Sequence, residues 1–392
     1  MKDKITIGLF NDSFFPMADG VIMVVDNYAK KLSKYANVIV FAPNYIGKNY
    51  DDNQFSYKVV RCHSLKVPFL DYSLPIPKLD LKFRKILDEY NLDIVHIHSP
   101  FTVGMAGLDY AIKRNIPCIG TMHSQFKQDF QKAVKIPMLA EKMNDGLIRT
   151  FNKCTECWAV NKEIARIYHE DYGYKTVPRV MNNATEMLPV ENLDEARRYI
   201  NELYGINDNE KVFLFVGRIN TLKNILFIAD SIKIIKEKNP DWKFKMLYVG
   251  SGQDEEKLSS HIKELRIDDV TIMCGKVSDR EKLAYYFARA DLFLFPSVYD
   301  ASSIVQIEAA SQSTPCVFLE GTATASTVTN NVNGILTKHN AEDYANRIIE
   351  VMNDKKFYNT LSKNAHRDLY KNWDTVVDEA YELYLKFINK EL

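Results

Sequence analysis

Short apolar runs alternate with amphipathic segments along almost the whole chain. In the first half the runs are rich in β-branched residues and lie at 5–9, 38–42, 58–61, 93–97, 118–122 and 157–160. Between the first two runs, Ile22, Val25, Ala29 and Leu32 recur at spacings of three, four and three, which predicts a helix over 21–35. Strands separated by helices predict parallel βαβ units with both sheet faces covered.

The pattern stops at a polar interval and then restarts. Residues 186–209 are polar and acidic apart from one short helical stretch, and apolar runs resume at 211–216, 246–249, 270–274, 292–295 and 316–319. A length of 392 residues suits two domains. We therefore predict an α/β protein of two tandem Rossmann-like domains, 1–190 and 191–372. A last amphipathic helix, within 373–392, has no strand after it and should pack back on the first domain. Such sheets bind ligands at the carboxyl ends of their strands, so the ligand is expected in an interdomain cleft.

Composition excludes several classes of protein. Lys plus Arg and Asp plus Glu are 51 each, so no net charge favours nucleic acid. The six cysteines do not suggest a disulfide framework. Cys154 and Cys157 form a single CxxC segment, and we interpret them as structural thiols. The N-terminus leads straight into a strand, and no run of 18 apolar residues occurs. These features predict a cytoplasmic protein, with any membrane contact peripheral.

Two acidic residues stand at the end of one predicted strand and in the helix after it. Asp300 lies in the loop, and Glu308 lies about two turns into a helix expected to begin near Ser302 or Ser303. A helix N-terminus offers free amides and a positive dipole end to a diphosphate. Glu308 could then accept hydrogen bonds from both ribose hydroxyls, and Asp300 would lie near a sugar attached to the diphosphate. Without further context, a helix cap and a surface glutamate would be the usual explanation of such a pair.

Two cations follow another strand of the same half. Arg218 and Lys223 lie in the loop after the run at 211–216, and are expected to face the same ligand as Asp300. Fixed cations can stabilise a leaving diphosphate where other enzymes use a metal ion. The Gly250-Ser-Gly252 segment has Glu255 where a dinucleotide fingerprint requires its third glycine, which argues against NAD. P-loop, HExxH and GxSxG sequences do not occur. We therefore predict no cofactor and no metal requirement.

These motifs, in this order, resemble the donor domain of family-four retaining glycosyltransferases, which have the GT-B fold. The resemblance rests on a set of segments from both halves: Phe15-Pro-Met-Ala-Asp-Gly20-Val, His98-Ser-Pro-Phe, Thr121-Met-His123-Ser, Gly217-Arg218 with Lys223-Asn224, Val249-Gly-Ser-Gly252, Gly275-Lys-Val277, Ala290-Asp291-Leu-Phe-Leu-Phe-Pro-Ser297 and Asp300-x7-Glu308-Ala309. It covers roughly residues 5–370 and is loosely nearest to diacylglycerol glucosyltransferases.

The resemblance implies roles for individual residues. Arg218 and Lys223 would hold the donor diphosphate, Glu308 the ribose, and Asp300 the transferred sugar. The remaining donor contacts would come from the amides of Ser303, Ile304 and Val305, from the Val277 backbone at the base, and from Gly20, where a side chain would block the phosphates. His123 would lie near the reacting face of the sugar, whereas His98 and Ser99 belong to the acceptor side; His96 is interpreted as a packing residue.

Several positions depart from the family pattern. Asp300 replaces the usual glutamate and shortens its reach by one methylene. Ser303 and Ser313 stand where glycines are common, and Ser326 stands near a frequent glutamate position. Asp19-Gly20 replaces the commoner glycine pair. These changes do not affect the predicted fold, but they leave the identity of the sugar open.

The implied reaction is transfer of a hexose from a nucleoside diphosphate sugar to a hydroxyl acceptor with retention. We expect UDP-glucose as the donor first, other UDP-hexoses next, and GDP-mannose after those. The acceptor could be a small molecule, a glycan precursor or a lipid. The segment 125–139 mixes aromatic residues and lysines, as a membrane-facing helix would, or it simply covers the core of the first domain. The alternatives are a sugar-nucleotide epimerase of the same architecture and a non-catalytic nucleotide-sugar-binding subunit. The oligomeric state is open.

Overall fold

The computed structural model describes residues 4–17, 19–47, 50–66, 73–134 and 136–392. Ala18 of the predicted glycine loop and Lys135 of the predicted membrane-facing segment lie outside the described residues. The chain forms two compact units. The first consists of residues 1–183 together with 373–392, and the second of residues 184–372. The sequence-based boundary at 190/191 lies a few residues after the point where the first unit ends.

The first unit contains a seven-stranded parallel sheet. Its order is β3-β2-β1-β6-β7-β8-β9, and a separate antiparallel hairpin, β4-β5, follows β3 along the chain. The strand bounds are β1 Thr6–Phe10, β2 Asn37–Pro43, β3 Lys58–Cys62, β4 Ser64–Lys66, β5 Ser73–Pro75, β6 Ile94–Ile97, β7 Cys118–Met122, β8 Glu156–Ala159 and β9 Arg179–Val180. The strands β1, β2, β6, β7 and β8 are buried almost throughout, as expected for a parallel sheet covered on both faces.

Helices connect these strands and cover the sheet. Their bounds are α1 Gly20–Leu32, α2 Leu81–Glu89, α3 Thr102–Arg114, α4 Phe126–Val134, α5 Pro137–Phe151 and α6 Lys162–Arg166. The last helix of the chain, α14 (Trp373–Ile388), also belongs to this unit and packs on α1. The Tyr384 ring stacks on Trp158 of β8 at 5.6 Å between centroids, which attaches α14 to the sheet.

The second unit contains a six-stranded parallel sheet in the order β12-β11-β10-β13-β14-β15. The strands are β10 Lys211–Val216, β11 Phe244–Val249, β12 Thr271–Gly275, β13 Leu292–Leu294, β14 Cys316–Leu319 and β15 Ile335–Thr337. The helices are α7 Leu193–Tyr204, α8 Ile225–Lys238, α9 Glu255–Glu264, α10 Arg280–Arg289, α11 Ile304–Ser311, α12 Ala341–Asn353 and α13 Lys355–Leu369.

Both sheets have the strand order of a Rossmann fold. Once the β4-β5 hairpin is set aside, the order starts at the third strand, runs back to the first and continues outward from the fourth. The order reverses between β1 and β6 in the first unit, and between β10 and β13 in the second. Ligands of open α/β sheets bind at these reversal points, beyond the carboxyl ends of the strands. The predicted fold class of two Rossmann-like domains is therefore confirmed. Within the described ranges, no helix is long and apolar enough to cross a membrane.

Candidate donor and acceptor half-sites

The second unit places the predicted donor residues at its strand reversal. Arg218 and Lys223 follow β10, and Asp300 follows β13, the neighbouring strand. Asn224 ties the two loops together, because its Nδ2 donates to the Pro296 carbonyl over 3.0 Å. Its backbone has a φ of 58°, and asparagine tolerates this left-handed conformation better than most residues. The sequence therefore builds one surface from two separate loops.

Two glycines let a third loop pack beneath Arg218. A Cβ at Gly250, whose φ is +144°, would lie 1.8 Å from the Gly217 carbonyl oxygen. A Cβ at Gly252 would lie 2.2 Å from the carbonyl oxygen of Ile219. Backbone approaches this close exclude any side chain. The Gly250-Ser-Gly252 segment, which is not a dinucleotide fingerprint, thus supports the loop that carries Arg218.

Lys223 and Asp300 form an ion pair, in which Lys223 Nζ donates to Asp300 Oδ1. Both side chains are less than one-fifth exposed. The second oxygen, Asp300 Oδ2, is buried and has no hydrogen-bond partner among the described residues. Arg218 is exposed, and its guanidinium forms no hydrogen bond or ion pair within the described part of the chain. The loop surface therefore offers a free cation and an unsatisfied carboxylate oxygen.

Helix α11 begins beside this pair. Ser303 is its N-cap, and the Ser303 hydroxyl accepts a hydrogen bond from Gln306 N over 3.3 Å. Ile304 and Val305 are the first helical residues, and such amides have no acceptor within their own helix. With the dipole directed the same way, this helix end favours an anion. The helix start predicted near Ser302 or Ser303 is confirmed to within two residues.

Glu308 lies on the body of α11, and its side chain is only 4% exposed. Arg280 Nη2, from the first turn of α10, donates to Glu308 Oε1 over 2.5 Å. Glu308 Oε2 is buried without a partner among the described residues. Burial raises the pKa of Glu308, and the Arg280 guanidinium partly offsets that rise. Val277, three residues before Arg280, is half-buried against the core.

The departures from the family pattern have distinct environments. Ser313 has a φ of +61°, a conformation that glycine adopts without strain, so glycine at this position has a physical reason. Ser326 donates to the Ala323 carbonyl over 2.7 Å within a short turn. Neither serine side chain forms a hydrogen bond with Asp300, Glu308 or Lys223 within the described residues.

The first unit places a half-buried carboxylate at its own strand reversal. Asp12 follows β1 and accepts hydrogen bonds from the Ser99 hydroxyl at 2.6 Å, the Thr102 hydroxyl at 2.9 Å, and the amides of Val103 and Gly104 at 2.7 and 3.2 Å. Phe101 at the N-cap of α3 has no side-chain capping bond, so Asp12 caps that helix from a distance. Ser99, predicted on the acceptor side, is thereby fixed in position.

Three histidines lie side by side at the ends of β6 and β7. His98 Nδ1 and His123 Nε2 are 3.1 Å apart, and His98 Nε2 is buried without a partner among the described residues. His96 instead bonds to Thr121 Oγ1 at 2.6 Å and to the Tyr384 hydroxyl at 2.5 Å. Burial lowers the pKa of His123 to about 3, and lowers the pKa values of His96 and His98 well below their ordinary range. All three imidazoles are therefore neutral at physiological pH.

Gly20 is the first residue of α1, and Asp19 caps this helix by accepting from Ile22 N over 2.9 Å. A Cβ built at Gly20 meets no atom within 4 Å. The glycine is therefore not required by packing within the described residues, and it leaves space at the N-terminus of α1.

Sequence reasoning missed three residues of these half-sites. Arg280 follows the Gly275-Lys-Val277 segment, and a cation three residues beyond a recognised motif was a usable signal. Asp12 is a polar residue two positions after the end of a strand, which was a second usable signal. Tyr384 could not be assigned, because its partner His96 is 288 residues away in sequence. No group of three or more His, Cys, Asp or Glu side chains suited to a metal occurs in the described ranges.

Comparisons with known proteins agree with this architecture. Residues 18–186 match the family model Glycosyltransferase Family 4, and residues 197–368 match Glycosyl transferases group 1. An alpha-monoglucosyldiacylglycerol synthase from Streptococcus pneumoniae is 26% identical over 96% of this chain and 85% of its own length. A synthase of the same name from Acholeplasma laidlawii is 25% identical over 98% of both chains.

Solved structures share the fold. A sucrose-phosphate synthase from Thermosynechococcus elongatus superimposes with a TM-score of 0.77 at 19% identity, over 99% of this chain and all of the other. The Anabaena protein HepE, solved with UDP and glucose, has a TM-score of 0.74 at 14% identity, over 97% of this chain and 99% of its own. With one family model on each unit and a Rossmann order in both sheets, this chain belongs to the family-four glycosyltransferases of the GT-B fold.

Proposed function

We propose that the protein transfers a hexose from a UDP-sugar, with UDP-glucose first, to a hydroxyl acceptor with retention of the anomeric configuration. The relatives named above are synthases of a glucosylated diacylglycerol, and HepE was solved with UDP and glucose. Those names support, by similarity, a glucose donor and a lipid acceptor.

One observation carries the proposal: two buried carboxylate oxygens without partners lie on the same strand-to-helix segment. Asp300 Oδ2 and Glu308 Oε2 are both unsatisfied among the described residues. A buried polar atom without a hydrogen bond costs about 1–3 kcal/mol, so folded proteins rarely retain one without a purpose. Hydroxyl groups of a ribose and of a hexose are donors that would satisfy both oxygens.

Charge stabilisation at the diphosphate would come from this chain's own cations. Arg218 is exposed and unpaired within the described residues, and Lys223 can exchange Asp300 for a phosphate oxygen. Hydrogen bonds in which the donor or the acceptor is ionised are roughly twice as strong as those between neutral groups. On the front-face mechanism implied by the family resemblance, the leaving phosphate oxygen helps to deprotonate the acceptor. Transfer then needs no metal and no dedicated protein base.

The acceptor is proposed to reach the first unit from a membrane surface. Just before α5 and along it, Ile136, Met138, Leu139 and Met143 are 57%, 68%, 44% and 38% exposed. Lysines lie in the same stretch of sequence. Apolar side chains among cations suit the interface of an anionic membrane. The protein is accordingly proposed to act at the inner face of the cytoplasmic membrane.

A nucleotide-release assay tests the reaction. UDP-glucose, UDP-galactose, UDP-N-acetylglucosamine and GDP-mannose are supplied with diacylglycerol in anionic vesicles, with a soluble polyol or with no acceptor. We expect UDP release that requires diacylglycerol, persists in EDTA and yields an α-glucoside by NMR. Donor conversion without any acceptor would indicate the epimerase instead. Donor binding without any turnover would indicate a non-catalytic subunit, and strict metal dependence would contradict the cationic mechanism.

A further inference from the structure

The Arg280–Glu308 pair joins Glu308, which the sequence motifs assign, to Arg280, which they do not. Arg280 begins α10, and Asp279 fixes that helix start by accepting from Glu281 N and Lys282 N at 3.0 and 3.1 Å. From this anchored position the guanidinium reaches Glu308 Oε1 over 2.5 Å. The two partners differ in exposure, since 52% of the Arg280 side chain is exposed and 4% of the Glu308 side chain.

The two oxygens of Glu308 are therefore not equivalent. Oε1 is held by Arg280, whereas Oε2 is buried and unsatisfied among the described residues. If both oxygens were free, the carboxylate could rotate between several poses. With one oxygen held, the other has a fixed direction. A carboxylate oxygen held in this way suits a single hydroxyl donor, and Arg280 keeps further N–H donors at the same edge.

We propose that Arg280 is a positioning residue for nucleoside recognition, holding Glu308 by one oxygen so that Oε2 accepts a ribose hydroxyl of the donor. This inference rests on the proposed function, because it assigns Glu308 to a nucleoside diphosphate sugar. It changes the expectation from sequence that both oxygens of Glu308 bind the ribose diol: one oxygen is already in use.

Arg280 also controls the charge of Glu308. Burial raises the pKa of this carboxyl, and Arg280 is the charged group that lowers it. On the elements packed against α11, the other titratable groups include His366 of α13, which bonds to the Ala310 carbonyl at 3.1 Å, and the buried thiol of Cys316 on β14. Helix α10 also carries Glu281, Lys282, Tyr285, Tyr286 and Arg289. In the loop before α10, Lys276 is exposed and Asp279 caps the helix. Without Arg280, the pKa of Glu308 should rise further, and the carboxylate should be lost on mild acidification.

The test is UDP-glucose binding by calorimetry, without acceptor, between about pH 8 and pH 6. Each phosphate of UDP-glucose has one ester and one anhydride bond and a single strongly acidic group, so both stay ionised throughout. We expect the wild-type affinity to be nearly constant, and the affinity of Arg280→Gln to fall about tenfold over the range. Lys282→Gln is the matched control, because it removes a cation from the same helix turn without touching Glu308. It should behave like the wild type.

A double-mutant cycle separates positioning from a direct contact. Glu308→Gln should bind weakly without pH dependence, and adding Arg280→Gln to it should change little. A pH-independent loss in Arg280→Gln, or an undiminished loss in the Glu308→Gln background, would overturn the inference. So would wild-type affinity in Arg280→Gln at every pH.

A second readout does not depend on the donor. Because the folded pKa of Glu308 is raised, the folded form binds the proton more tightly, and stability falls as pH rises through the interval between the unfolded and folded pKa values. In Arg280→Gln, this fall of the melting temperature should extend to higher pH. It should disappear in the double variant, in which Glu308 is also changed to Gln. If this shift occurs but the wild type binds no UDP-glucose, the proposed function fails while the coupling of the pair stands. If binding occurs but the shift does not, the role of Arg280 fails alone.

Discussion

Replacing Gly250 by alanine should damage both the second unit and its donor surface. The new Cβ would lie 1.8 Å from the Gly217 carbonyl oxygen, and the backbone at φ +144° is one that alanine rarely adopts. Backbone strain of this kind costs about 1–3 kcal/mol. The overlap is with backbone and not with a flexible side chain, so the loop carrying Arg218 must move. We expect a total cost of about 3–5 kcal/mol, the range reached by severe single substitutions.

Gly205→Ala provides the matched control. Gly205 also has a positive φ, +63°, and lies in the second unit, but a Cβ there meets no atom within 4 Å. Its cost should be the left-handed conformation alone, about 1–2 kcal/mol. At about 2–4 °C per kcal/mol, the melting temperature should fall by about 10 °C for Gly250→Ala and about 4 °C for Gly205→Ala.

Donor binding distinguishes the two variants further. Movement of Arg218 should cost one charge-assisted hydrogen bond, about 1.5–3 kcal/mol, or roughly 10- to 100-fold in affinity for UDP. Gly205→Ala should bind UDP like the wild type. Equal melting temperatures for the two variants, or unchanged UDP affinity in folded Gly250→Ala, would refute the packing argument.

Three further predictions concern single residues. Arg218→Ala should lower kcat/KM for transfer by the equivalent of about 2–4 kcal/mol of lost transition-state stabilisation, whereas Lys257→Ala, at an exposed position on α9, should leave kcat/KM unchanged. Equal kcat/KM values for the two variants would remove the phosphate role of Arg218. Ser313→Gly should raise the melting temperature by about 2–4 °C, since it relieves a left-handed φ of +61°, and an unchanged value would show that the serine is unstrained there. Burial lowers the folded pKa of His123 to about 3. The neutral buried imidazole therefore contributes to the free energy of unfolding above the ordinary pKa near 6.5, and that contribution is lost as pH falls, by up to about 1.4 kcal/mol per pH unit. His123→Gln should flatten that part of the acid limb in a melting-temperature series, and an unaltered limb would contradict the assignment.

The hydrophobic pattern of the sequence predicts the strands and the Rossmann-like fold well, because a parallel strand buried on both faces appears in the sequence as a continuous apolar run. Predicted runs such as 118–122, 211–216 and 316–319 coincide with β7, β10 and β14. The hairpin β4-β5 was not predicted, since its strands are three residues long and half-exposed. Short two-stranded elements of this kind carry little hydrophobic pattern.

The features of the candidate sites also fall into those that the sequence predicts and those that it does not. Residues beside a strand end, such as Arg218 and Asp300, could be found because position along the chain places them at the reversal point. Pairings could not be found, because they depend on side chains from distant elements. The Lys223–Asp300 pair joins residues 77 apart, and the Arg280–Glu308 pair joins residues 28 apart. Sequence spacing gives no measure of either contact.

The return of α14 to the first unit has a consequence for biosynthesis. Residues 184–372 form one continuous stretch, so the ribosome completes the second unit while the first still lacks Trp373 and Tyr384. Until those aromatic residues emerge, His96 Nδ1 lacks its Tyr384 hydroxyl partner and the Trp158 ring has no stacking partner on that helix. The unit whose synthesis begins first can thus be completed only after the whole second unit has been synthesised, unlike the usual N-terminal-first order.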